Sequence, residues 1–164
     1  MFGKLSLIAG LLALPLMLAG DEPAAQKQFD SLKALAGKWT TDQGGKAVVA
    51  SEFRVTSAGS VVQETLFPGS DHEMVNMYSV DGDKLLMTHY CAMGNQPRLK
   101  MVKNENGKMK FEFQDATNLA SKDAAHMDSL ELSIDTPDQI TEKWQSMTEG
   151  KAGECAVFVM KRQK

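Results

Sequence analysis

Cysteine, tryptophan, tyrosine and clustered positive charge are all scarce in this chain of 164 residues, and the scarcity of cysteine and of clustered positive charge each disfavours a class of protein. It holds two Cys, three His, two Trp and two Tyr. Two cysteines without a Cys-x-x-Cys pair lack the ligand spacing of a closed structural zinc site. Lys and Arg number 18 against 21 Asp and Glu, and no basic run occurs before the last four residues. Such a chain offers little to a phosphate backbone, so nucleic acid is not an expected partner. Internal repeats, low-complexity tracts and helical segments between strands are missing as well. Without crossover helices, parallel βαβ units are excluded. The length argues for one domain.

The long apolar run is confined to the N-terminus. Lys4 precedes Leu5 to Leu18, a stretch interrupted only by Ser6, Gly10 and Pro15; Ala19-Gly20 follows, then Asp21. Residues 1–20 therefore read as a cleaved secretory signal peptide, too short and too interrupted for a membrane span. The mature product is expected to be periplasmic or secreted, with no stable membrane anchor. Leu18-Ala19-Gly20 opens like a lipoprotein box, but Asp21 stands where the lipid-bearing Cys belongs, so no lipid is expected. Losing Lys4 from the 18 cations leaves 17 against 21 carboxylates, a formal charge of −4.

Residues 21–36 form a linker and a short amphipathic helix. Phe29, Leu32 and Leu35 recur at three-residue steps, and Gly37 ends the helix. From Gly37 the period changes to two. Ten strands are expected, at 37–42, 47–56, 60–67, 73–80, 84–91, 98–104, 108–117, 125–135, 139–147 and 155–162. Asp81-Gly82 and Asn106-Gly107 are the strongest hairpin signals. One-sided amphipathic strands in a single meander close as an all-β, antiparallel up-and-down barrel spanning residues 37–164. The short loops disfavour the Greek-key crossovers of a sandwich. Inward phases are expected for Val49, Phe53 and Val55, for Met109, Phe111 and Phe113, and for His126, Asp128, Leu130, Leu132 and Ile134.

Up-and-down wiring gathers the ends of odd strands and the starts of even strands at one mouth. That places His72, His89, Cys91, His126, Asp128 and Cys155 there, and the helix and Trp39 at the opposite end. His89 and Cys91, like His126 and Asp128, are two residues apart and share a strand face. A two-residue Asp81-Gly82 turn would set Met74 opposite His89 and His72 opposite Cys91. Cys91 and Cys155 are half a circuit apart, farther than the roughly 7 Å between Cα atoms that a disulfide tolerates, and are expected free.

Three chemistries suit this rim. The first is a pocket for a small apolar or amphipathic molecule, lined by His72, Met87, His89, Cys91, His126, Asp128 and Trp144. Arg98, after Pro97, is placed to meet a carboxylate. The 11 Met provide a soft wall. The second is haem or metal held by His89 and His126, with Asp128 as ligand or orienter. The third, enzymatic, makes Cys91 a nucleophile with His89 or His126 as base and Asp128 as orienter; it ranks last, and no catalytic residue is assigned. Beside them stands a barrel that is simply filled, with His126 and Asp128 as a buried pair. Glu64, Tyr78 and Glu142 sit in apolar strands, and the ordinary expectation for charges there is the solvated face.

Ala36-Gly37-Lys38-Trp39 resembles the Gly-x-Trp signature of the calycins, the group that contains lipocalins and fatty-acid-binding proteins. The resemblance implies that Trp39 closes the barrel floor after Gly37, with a basic residue of the last strand packed across it, Arg162 in preference to Lys161. Ten strands are closer to fatty-acid-binding and nitrobindin-like barrels than to lipocalins. Nitrobindin-like barrels bind haem through a His, which adds to the second chemistry. The run from His89 to Arg98 is similar to one found in exported bacterial proteins, and no activity comes with it.

Overall fold

The computed structural model describes residues 23–164; the expected signal peptide lies outside them. Helix α1 (Ala24–Lys33) is followed by β1 (Gly37–Gln43), β2 (Lys46–Thr56), β3 (Val61–Leu66), β4 (Met74–Asp81) and β5 (Lys84–Tyr90). Then come β6 (Gln96–Glu105), β7 (Lys108–Thr117), β8 (His126–Thr136), β9 (Gln139–Thr148) and β10 (Lys151–Arg162). Each strand pairs antiparallel with its sequence neighbours, and β1 meets β10 to close the barrel. The fold is the ten-stranded up-and-down barrel expected from the alternation.

The turns explain the register. Asn106 and Gly107 both have positive φ, and Glu105 pairs with Lys108, as an Asn-Gly type I′ hairpin requires. At Asp81-Gly82-Asp83 the chain chooses differently. Gly82 and Asp83 form the turn, with only Gly82 at positive φ, and Asp81 pairs with Lys84. That is the pattern with glycine at the first central position, which suits type II′. Pairing therefore moves by two residues from the expected register. Facing is preserved, but Asn76, not Met74, lies opposite His89. His72 falls outside β4, exposed in the preceding turn, and does not face Cys91.

Bulges correct the other phase assignments. A register shift between Met127 and Ser129 leaves Asp128 unpaired in β8. His126, Leu130 and Leu132 point inward, while Asp128 acts electrostatically on Lys110 of β7, whose cross-strand partner is Glu131. In β2 a shift at Ser51 and Val49 turns Ala50, Ser51 and Phe53 into the core. Val49 is half-buried and Val55, at the strand end, is exposed.

The barrel interior is packed. Trp39, Tyr78, Leu85, Met87, Leu99 and Phe111 are among its fully buried side chains. At one end α1 turns Phe29 and Leu32 inward, with Leu35 just beyond it. The Trp39 indole N–H donates to the Leu35 carbonyl at 2.8 Å. Arg162 lies across this floor, 4.3 Å from the Trp39 ring centroid, and donates to the carbonyls of Ala34 and Ala36 at 3.0 and 2.9 Å. A cation at a helix C-terminus meets carbonyls that the helix leaves unpaired. Gly37 has φ +123°, and an added Cβ would sit 3.5 Å from the Arg162 guanidinium.

Candidate functional site

The opposite mouth holds the chemistry, and its centre is a polar chain that crosses the core. Glu64 on β3 is fully buried and accepts three hydrogen bonds: from Ser51 Oγ at 2.6 Å, Asn76 Nδ2 at 2.8 Å and the Tyr78 hydroxyl at 2.8 Å. Asn76 spends its N–H group on a carboxylate that can only accept, so its Oδ1 is left to face His89. His89 Nδ1 lies 2.7 Å from that oxygen. Nδ1 must therefore carry the hydrogen and donate, which makes Nε2 the bare, accepting nitrogen of a neutral imidazole. Burial pushes the His89 pKa down to about 4, in keeping with a neutral ring.

A second carboxyl, Glu142 on β9, is fully buried beside Glu64 and within hydrogen-bonding reach of it. Its Oε2 accepts the Trp144 indole N–H at 2.9 Å. Its Oε1 has no hydrogen-bond partner among the described residues, and a buried carboxyl oxygen without a donor favours the protonated form. Burial first, then the charge of Glu64, hold the Glu142 pKa well above the usual carboxyl value. Burial likewise raises the Tyr78 hydroxyl, aided by Glu64 and Glu142, so it stays a donor. Two carboxyls with one proton between them are a stable way to bury such a pair.

Glu64 and Glu142, expected on the solvated face as charges on a barrel strand, are instead buried, with Tyr78 and Asn76 beside them. The phase carried the signal: Val62, Glu64 and Leu66 alternate on one face, as do Ile140, Glu142 and Trp144. All six are buried.

His89 ends this chain on the wall of a pocket of about 130 Å³. Trp144 stands against it, ring centroids 4.9 Å apart. Leu66, Met74, Met127 and Ala156 line the remainder with Phe67 and Phe158, which meet edge to face at 5.4 Å. Apart from the His89 ring, the wall is apolar. The His89 side chain is 1 % exposed, and its Nε2 has no hydrogen-bond partner among the described residues. Larger hollows, such as one of about 420 Å³ beside Lys103, Lys108 and Glu131, are open clefts on the outer surface among charged side chains of both signs.

Of the residues expected at the site, the pocket brings together His89 and Trp144. Met87 is buried in the packed core and does not line the pocket. His126 is buried nearby, its Nδ1 donating to the Ala124 carbonyl at 2.7 Å and its ring 4.5 Å from Phe113. Cys91 closes a tight turn with Gly94 and Asn95; burial raises its thiol pKa, and it does not line the pocket. Arg98 is exposed and forms a two-pronged pair with Asp115 on the adjacent strand. His72 and Asp128 lie outside the pocket wall, as described above. Cys91 and Cys155 are both free. Among the described residues, no three or more His, Cys, Asp or Glu side chains are grouped to hold a metal ion.

Fold and site together define a class: a closed ten-stranded antiparallel barrel, filled over most of its length, with a small apolar pocket at the mouth opposite its helix. No protein-family model matches the chain, and no curated protein matches it significantly.

Proposed function

We propose that this chain is an exported, calycin-like barrel that binds a small apolar molecule, or the apolar end of an amphipathic one, in the His89–Trp144 pocket. The observation that carries the reading is an apolar hollow bounded by Trp144, Phe67 and Phe158 in an otherwise packed barrel. Ordinary ligand cavities run to about 300–1,000 Å³. An engineered apolar cavity of about 150 Å³ holds benzene, so a pocket of about 130 Å³ suits a single ring or a short branched chain. Export is supported by the leader-like pattern of residues 1–20, and calycin kinship by Gly37, Trp39 and the stacked Arg162.

The test is titration of the mature protein with toluene, followed by tryptophan fluorescence. Saturable binding with a Kd on the order of 1 mM or tighter is expected. At ten times Kd the ligand should add about 1.4 kcal/mol of stability. Ala156→Trp, which fills the hollow, should abolish both effects. A linear, unsaturable response unaffected by Ala156→Trp would contradict the reading.

A second reading rests on the same wall. The thioethers of Met74 and Met127 share the pocket with the bare His89 nitrogen, and thioether with imidazole suits a soft monovalent metal such as Cu(I). Stoichiometric Ag(I) uptake that Met74→Leu removes would favour it. Haem does not fit a hollow of about 130 Å³, although His89 would offer it a nitrogen.

A further inference from the structure

We infer that the occupant of the pocket carries one hydrogen-bond donor, a ring hydroxyl of the phenol class, and gives it to His89 Nε2. The inference rests on the pocket reading above and names the ligand chemistry that the pocket selects.

The argument starts from the tautomer. Glu64 accepts from the Asn76 amide at 2.8 Å, and the Asn76 carbonyl accepts from His89 Nδ1 at 2.7 Å. The direction of each bond is set by the one before it. At the end of the chain Nε2 has a lone pair and no hydrogen. A carbonyl or ether would meet that lone pair with another and be repelled. A donor would complete a polar atom buried at this wall without a partner among the described residues.

The wall selects the rest of the molecule. Leu66, Met74, Met127 and Phe158 supply no countercharge, so a charged amine would be desolvated without compensation. One unpartnered acceptor calls for one donor; a second hydroxyl would face hydrocarbon. The tilted Trp144 ring on one side and the Phe67–Phe158 pair on the other suit a flat ring, which aromatic faces and edges pack well. The volume admits a single six-membered ring.

The apolar term alone ranks ligands the other way. In a pocket with no acceptor, toluene outcompetes phenol, because the hydroxyl leaves water for nothing. Reversal of that order is therefore the signature. Phenol, fluorobenzene and toluene are titrated in parallel against the mature protein at pH 7. Fluorobenzene matches the shape of phenol and has no donor. Phenol is expected to bind at least tenfold more tightly than fluorobenzene. His89→Phe should cut phenol binding at least tenfold and erase the preference for phenol over fluorobenzene. Equal binding of phenol and fluorobenzene by the native protein would overturn the inference and leave the pocket reading intact. Saturable binding of none of the three would overturn both. The ligand comparison needs no variant, so a poorly folding His89→Phe leaves the proposal decidable.

Discussion

Glu64 and Glu142 are both buried glutamates, but their neighbours assign them different tasks. Glu64 receives three donors. Glu142 accepts one and keeps its proton. Glu142→Gln preserves an acceptor for Trp144 and stays neutral beside the Glu64 charge, as the protonated carboxyl is, so it should cost less than about 1 kcal/mol at pH 5. Glu64→Gln turns an amide N–H towards a ring of donors and should cost about 2–4 kcal/mol. Urea denaturation of the two variants checks the contrast. The pH dependence has a definite sign. Above about pH 4.5 the unfolded chain loses the Glu142 proton that the folded chain retains, so stability falls as pH rises. His89 works in the opposite direction. Between pH 6.5 and about 4 the unfolded chain binds a proton that the folded chain refuses, so stability falls as pH drops through that window. Above pH 6.5 only the Glu142 slope remains of the two. Whatever decline with rising pH remains there should be at most about 1.4 kcal/mol per unit, and Glu142→Gln should flatten it.

At the scale of elements, the barrel is joined unevenly. β1 and β10 share two pairs, Trp39 with Arg162 and Thr40 with Lys161. Beyond them β10 continues from Met160 back to Lys151 with β9 on one side and, among the described residues, no paired strand on the other. Ala156 and Phe158, which line the pocket, sit on that one-sided stretch. Amides of β10 that point towards β1 should therefore exchange with deuterium much faster than those of β9 that point towards β8, and a bound ligand should slow them. Uniform protection along β9 and β10 would show that the seam is sealed by other means. The strands themselves were legible because amphipathic alternation survives in most of them, and Asn106-Gly107 announced its hairpin. Three features were hidden. Asp81-Gly82-Asp83 offers two possible turns, and the residue type alone does not choose between them. The bulge that ejects Asp128 has no glycine or proline to mark it. The β10 strand runs back to Lys151 through Gly153, where glycines suggested a turn.

On the scale of the whole molecule, simple up-and-down wiring gathers the pocket residues at one mouth and the Trp39–Arg162 floor at the other. That much follows from strand order. The size of the hollow does not, because it depends on how Tyr78, Phe111 and Met87 fill the barrel, which is a matter of side-chain packing. Nor did residue type separate His89, on the pocket wall, from His126, tied to a backbone carbonyl. The difference lies in Asn76 across the strand pair. The central claim is that Glu64 and Asn76 hold His89 neutral, with Nδ1 protonated and Nε2 bare, at the pocket wall. Nitrogen-15 NMR of the His89 ring tests this directly. The account predicts a pyrrole-type Nδ1 and a pyridine-type Nε2 that persist from pH 8 down to pH 5, with Nε2 alone shifting when phenol is added. A ring that carries its hydrogen on Nε2, or that titrates near pH 6.5, would contradict it.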